Sequence, residues 1–274
     1  MVTYLNSYRV FLLVAACIAV SDVWRPASVQ SESVRELREA RSFFALPLEL
    51  DVDRGAANGN AAILRIMPLY SIPLGDSWKL VNLTILTLAD APGTPLYPGE
   101  PGAGKVAGAS DILHASFFTP ERSGHFIWGV GPILSLPTAT DPALGSEKWS
   151  LGPAFRLTYT AEKWNLGVVA GQRWSFAGTG NRDDVNQLVI RGAIRRSLPN
   201  NWYFVSAPLI VANWNVEGEK WSVPLGGGFG RTFEIGGYPW AWSVQGYYNA
   251  IKPETAPDWF ARFAIVAAIP FGKD

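Results

Sequence analysis

Charged and amide side chains in this 274-residue sequence recur at alternate positions of otherwise apolar segments. Glu49 and Asp51, then Arg65, Arg156, Arg173, Arg191, Arg195, Gln245 and Arg262 share this placement. Alternation puts a residue on one face of an extended strand and its neighbours on the other. If that face lines a pore, a set dominated by arginine attracts anions, and carboxylate- or phosphate-bearing solutes are the natural ligands. The competing reading is that Glu49 and Asp51 pair with nearby arginines and merely fill a narrow interior. Small residues on the same face, Gly152, Ala154, Gly167, Gly171, Gly226 and Gly228, argue for some open space.

Other motifs carry less. His114 and Ser116 in LHASF share one strand face, and this His-x-Ser pair resembles that of lipid A deacylases. A serine nucleophile needs a base, and the base an orienting group. Alternation is read here as placing the pair on the lumen face, opposite Leu113, Ala115 and Phe117, whereas a membrane lipid must be reached from the bilayer. The pair therefore reads as lumen polarity, and no catalytic residue is assigned. GEPGAGKV, Gly99 to Val106, approaches a phosphate-binding loop, but Val106 replaces the magnesium-binding hydroxyl and no helix follows. It reads as a surface loop. GNRDD, Gly180 to Asp184, reads as a solvated loop rather than a calcium site. With two His and one Cys, no metal, cofactor or cofactor-binding residue is expected.

The elements that must position these residues are strands. Residues 1–30 have the layout of an export signal: Arg9, the apolar run VFLLVAACIAV, then a polar stretch. The cleavage point is open, and Val14 to Cys17 also fits a lipoprotein box in which Cys17 would be acylated. Residues 31–41, charged and free of glycine, fit a short helix. From 42 to 274 the character is all-β. Twelve aromatic and β-branched segments, at 42–52, 61–74, 78–88, 110–119, 126–137, 149–160, 164–177, 186–198, 202–215, 221–235, 241–251 and 259–271, are separated alternately by tight turns and longer links.

Short turns on one rim, long loops on the other and an even strand number predict an antiparallel transmembrane β-barrel of about twelve strands. In the last segment, WFARFAIVAAIPF, the odd positions are all apolar and Arg262 falls on the other face. Trp78, Trp164, Trp202 and Trp240 follow tight turns, with Trp128 near its strand start, while Trp149, Trp174, Trp214, Trp221 and Trp259 lie towards the long loops. Two aromatic girdles are implied. Zero formal net charge and only 17% charged residues argue against nucleic acid as a partner. The expected partners are outer-membrane lipid, the barrel-assembly machinery and small-molecule solutes, and the expected location is the bacterial outer membrane. Gly272, Lys273 and Asp274 after Phe271 depart from a terminal-Phe assembly signal.

The stretches GASDILHASFFTP (108–120), FIWGVGPILSLPTATDPALGSEKWSLGPAF (126–155), RDDVNQ (182–187), KWSVPLGGGFGR (220–231) and PDWFARFAIVAAIPF (257–271) resemble bacterial outer-membrane barrels labelled transporter or neuromedin U. These are similar to barrel proteins associated with the meta-pathway of phenol degradation. The resemblance runs from about Phe43 to Phe271 and implies a bacterial outer-membrane channel or transporter of small molecules; together with the inward arginines it makes passive passage of small solutes, anionic or aromatic, the expected function, and not an enzymatic one. A structural or surface-interaction barrel with a filled lumen is the alternative, and a membrane-embedded lipid hydrolase a third.

Overall fold

A computed structural model describes residues 42–56, 59–92, 104–121, 125–254 and 256–271. The expected leader and the helix at 31–41 lie outside these residues. Fifteen strand segments follow in order: β1 (Ser42–Arg54), β2 (Ala62–Ile66), β3 (Leu69–Leu74), β4 (Trp78–Pro92), β5 (Lys105–Ala109), β6 (Ile112–Pro120), β7 (Phe126–Leu136), β8 (Lys148–Thr160), β9 (Trp164–Gly178), β10 (Asn186–Ser197), β11 (Trp202–Ser206), β12 (Leu209–Asn213), β13 (Trp221–Ile235), β14 (Tyr238–Ile251) and β15 (Trp259–Phe271).

These segments make twelve antiparallel staves, because three staves are interrupted: β2 with β3, β5 with β6, and β11 with β12. The barrel is closed. β15 returns to β1 with Trp259 opposite Arg54 and Phe271 opposite Ser42, and β9 pairs with β10 along most of its length. Closure leaves no free sheet edge. The third stave extends beyond the expected 78–88 to Pro92, because β5 adds to its far end, Leu88 opposite Ala109. What the sequence suggested as loop up to residue 109 is therefore partly strand.

Two of the interruptions fall at prolines, Pro68 and Pro208, which lack the N–H a ladder needs. Around Pro208, β11 pairs with β13 only over 202–205 and β12 only over 211–212, so the ladder is open between. There the backbone of Ala207 turns into the barrel.

The outer wall carries an apolar belt including Leu88, Phe118, Val130, Leu151, Phe155, Leu166, Phe229, Val244 and Phe263, all exposed. So wide an exposed apolar surface belongs in lipid rather than water. Tryptophans flank it, with edge-to-face pairs Trp78–Trp128 at 6.0 Å and Trp202–Trp242 at 5.8 Å near the short turns, and Trp214–Trp221 at 5.6 Å near the long loops. Arg196, on the outer wall at a strand end, places its guanidinium 5.3 Å from the Trp164 ring. Among the described residues no helix is long and apolar enough to cross a membrane.

The interior is divided. One sector is apolar: Met67, Leu69, Val81, Leu83, Ile85, Leu113, Ala115, Phe117 and Ile133 are buried inward. A charged group crosses the remainder.

Candidate functional site: a charged waist across the lumen

β1 presents Glu49, Asp51 and Asp53 on one face, two residues apart, and its neighbours supply the cations. Arg65 lies opposite Glu49 on β2, and Arg262 opposite Asp51 on β15. The Arg262 guanidinium grips Asp51 with two bonds, Nε to Oδ1 at 2.7 Å and Nη2 to Oδ2 at 2.8 Å. Such a fork is stronger and more directional than a single contact. Arg65 Nη1 donates to Asp51 Oδ2 at 2.7 Å and lies 3.9 Å from Glu49.

Arg191 completes the group from the far wall. It sits on β10, and in the sheet order β12, β13, β14 and β15 intervene between β10 and β1. Its Nη2 donates to Glu49 Oε1 at 2.8 Å and its Nη1 to Oε2 at 3.4 Å. The pair therefore bridges the lumen. Arg191 is 2% exposed and Arg262 1%, so the charges are held out of water and must satisfy one another.

A polar chain extends the waist to the broken stave. Arg262 Nη1 donates to the carbonyl of Ala207 at 3.0 Å, while the Ala207 N–H donates to Tyr247 Oη at 2.7 Å. Tyr247 Oη donates to Gln245 Oε1 at 2.5 Å, and Gln245 Nε2 donates to Ser243 Oγ at 2.9 Å. The backbone groups that Pro208 detaches from the ladder thus find partners in the lumen, as buried peptide groups require.

The structure brings together Glu49, Asp51, Arg65, Arg191, Gln245 and Arg262. Arg173 stands apart, nearer the long loops, bonded to Gln187 Oε1 at 2.7 Å and Ser150 Oγ at 3.3 Å. Arg156 is buried on β8, and Arg195 lies nearer the short turns with its guanidinium 3.8 Å from the Tyr203 ring centre. Sequence reasoning gave no role to Asp53, Tyr247 or Ala207. Asp53 was legible, because it continues the 49–51 alternation. Ala207 was not, since its part follows from a backbone turn.

Above the waist a cavity of ≈ 130 Å³ opens towards the long loops. Ile63, Ala89, Leu144, Leu209, Val211 and Phe260 give it apolar walls, and Asp51, Asp53, Arg65 and Arg262 give it a charged floor. The loops around it are tied. Asp111 accepts from Ser146 N and Oγ, both at 2.7 Å, and Arg182 donates to the carbonyls of Pro142 and Gly145 at 2.6 Å. Asp184 accepts from Ser175 Oγ and from Lys148, and these bonds hold its carboxyl below the usual range.

Two expectations are corrected. His114 and Ser116 face outwards, and Leu113, Ala115 and Phe117 are the buried residues of β6. Polarity misled there because this sector of the lumen is filled with apolar side chains. On the outer wall Thr84 Oγ1 lies 3.0 Å from His114 Nδ1, His114 Nε2 lies 3.1 Å from Ser116 Oγ, and Ser116 donates to Asn82 Oδ1 at 2.8 Å. The four groups satisfy each other midway along β4, between Trp78 and the Asp90–Lys105 ion pair. The inward glycines, secondly, do not mark open space. A Cβ on Gly152 would run into the Gln172 carbonyl oxygen, one on Gly226 into that of Gly246 and one on Gly228 into that of Val244. They admit a neighbouring backbone, not solvent.

No protein-family model matches the chain, and no curated protein matches it. Solved structures do. An outer-membrane channel of Pseudomonas putida F1 superposes with a TM-score of 0.62 at 13% identity, covering 84% of this chain and 96% of that one. The two share a closed antiparallel β-barrel fold. The NanC porin superposes with a TM-score of 0.52 at 10% identity, covering 82% of this chain and 100% of that porin. At such identities the likeness establishes the barrel and its architecture.

Proposed function

We propose that this chain is an outer-membrane channel for passive passage of small solutes, anionic or aromatic, that enter from the long-loop rim. The cavity above the waist carries this reading, because its apolar walls end on a charged floor of Arg65 and Arg262 with Asp51 and Asp53. A cavity of about 150 Å³ is enough for benzene, so a single-ring solute is the right scale. Along the lumen as a whole six inward arginines outnumber Glu49, Asp51 and Asp53, which favours a carboxylate on that ring. The fold likeness to outer-membrane channels and the resemblance to barrels associated with phenol degradation support the same class.

On this reading the chain is exported, inserted by the barrel-assembly machinery and bounded by outer-membrane lipid. The nine alternating residues set passage, with Glu49, Asp51, Arg65, Arg191, Gln245 and Arg262 acting at the waist. Arg156, Arg173 and Arg195 give the rest of the path its positive bias. No step of it calls for a cofactor or a metal.

A filled-lumen structural barrel is the second reading, favoured by the complete burial of Arg156, Arg173, Arg191 and Arg262. Reversal potentials across a planar bilayer with refolded protein separate the two. A channel gives an anion-selective potential in a salt gradient that weakens in Arg173→Ala. A filled barrel gives no protein-dependent current.

A further inference from the structure

Arg195 is the one inward arginine of β10 outside the waist. It lies four residues from Arg191 along the same strand, about 13 Å towards the short turns at ~3.3 Å per residue. It is 6% exposed, and neither Nε nor Nη1 has a hydrogen-bond partner. One face of the guanidinium is covered by Tyr203 at 3.8 Å, and the Tyr203 hydroxyl is turned away to the Trp242 carbonyl at 2.8 Å. Directly across the ladder from Arg195 stands Asn165, 5% exposed, whose Oδ1 is likewise without a partner. Arg65, Arg173 and Arg191 share an unpartnered Nε, so what sets Arg195 apart is Nη1 together with the unpaired Asn165 Oδ1, and buried polar groups left this way call for a reason.

Around this pair the lumen is mixed, with Thr160 buried directly across the ladder from Asn165 and an apolar side opposite. Tyr203 and Ala241 belong to the buried apolar cluster, and Ala193 and Val205 pack against it. The result is a cation with unpaired donors, an unpaired acceptor beside it, a rigid ring behind it and apolar side chains along one side.

We propose that Arg195 and Asn165 form an inner binding station for a small monocarboxylate with an apolar body, on the short-turn side of the waist. One carboxylate oxygen accepts from Arg195 Nη1 in a charge-assisted bond. The apolar body lies in the surrounding cluster, and a hydroxyl on it finds its acceptor in Asn165 Oδ1. Passage then has two stations, the cavity above the waist and Arg195 below. This deepens the channel reading, and its test is built to fail separately from that reading.

The test is equilibrium binding to the refolded full chain in detergent, followed by tryptophan fluorescence, with benzoate, 3-hydroxybenzoate and neutral benzamide as probes. Benzoate binds at least tenfold more tightly than benzamide, and Arg195→Gln removes that preference. 3-Hydroxybenzoate binds more tightly than benzoate, and Asn165→Ala removes that difference alone. Arg196→Gln, on the outer wall of the same strand, serves as control for general loss of positive charge and leaves the benzoate preference in place. Benzoate affinity unchanged in Arg195→Gln, or lost equally in Arg196→Gln, overturns the station. Because binding is read without current, a protein that binds through Arg195 but conducts nothing sinks the channel and keeps the station. A conducting protein whose benzoate affinity ignores Arg195 does the reverse.

Discussion

Glu49 and Arg191, 142 residues apart in the chain, meet at 2.8 Å in the middle of the lumen and join walls separated by four strand segments. A buried pair of this kind is costly to break from one side, because the surviving charge stays out of water. Arg191→Met is therefore expected to destabilise the barrel by ~3–5 kcal/mol. The double variant Glu49→Leu, Arg191→Met recovers most of that loss, since a pair replaced by apolar groups is close to neutral. Urea unfolding in lipid vesicles measures both. A double variant as unstable as the single one contradicts the pairing.

Tyr247 and Arg262 hold the two backbone groups of Ala207 that Pro208 frees from the ladder. Tyr247→Phe leaves the Ala207 N–H without an acceptor at a cost of ~1–3 kcal/mol. Amide exchange at Ala207 then accelerates, while exchange in β14 and β15 stays protected. Uniform acceleration across all three segments speaks against a local role.

Glycine matters at particular points of β13. Gly228→Ala sets a Cβ against the Val244 carbonyl and is expected to cost ~1–3 kcal/mol through forced backbone shifts. Gly246→Ala meets nothing within 4 Å and is expected to be neutral or stabilising by ~0.4–1 kcal/mol. Matched unfolding midpoints for the two variants would remove the packing argument.

Much of this was readable before any coordinates. Alternation in the last strand put Arg262 opposite an apolar face, and the same alternation carried Glu49, Asp51 and Arg191 inward, because lipid on one side makes the pattern strict. The tryptophans marked both rims for the same reason. Alternation could not tell that Arg191 crosses to Glu49, since a pairing through space between non-adjacent strands leaves no trace in spacing. It also reversed His114 and Ser116, where a locally apolar lumen erased the contrast between faces. The glycines misled because close backbone approach and empty space demand the same residue.

His114 and Ser116 sit within hydrogen-bond reach on the outer wall, yet halfway along its apolar stretch, where water and lipid ester groups are both scarce. Wild-type protein and Ser116→Ala are expected to release no fatty acid from phospholipid or lipid A in mixed micelles. Serine-dependent release would make this barrel an enzyme.

The account stands on the waist as the constriction of a conducting path. Single-channel recording of refolded wild type beside Glu49→Leu, Arg191→Met tests that most directly. The account predicts discrete steps in wild type and larger steps in the double variant, because the bridge across the lumen is gone. Equal steps in both, or none in either, would contradict it.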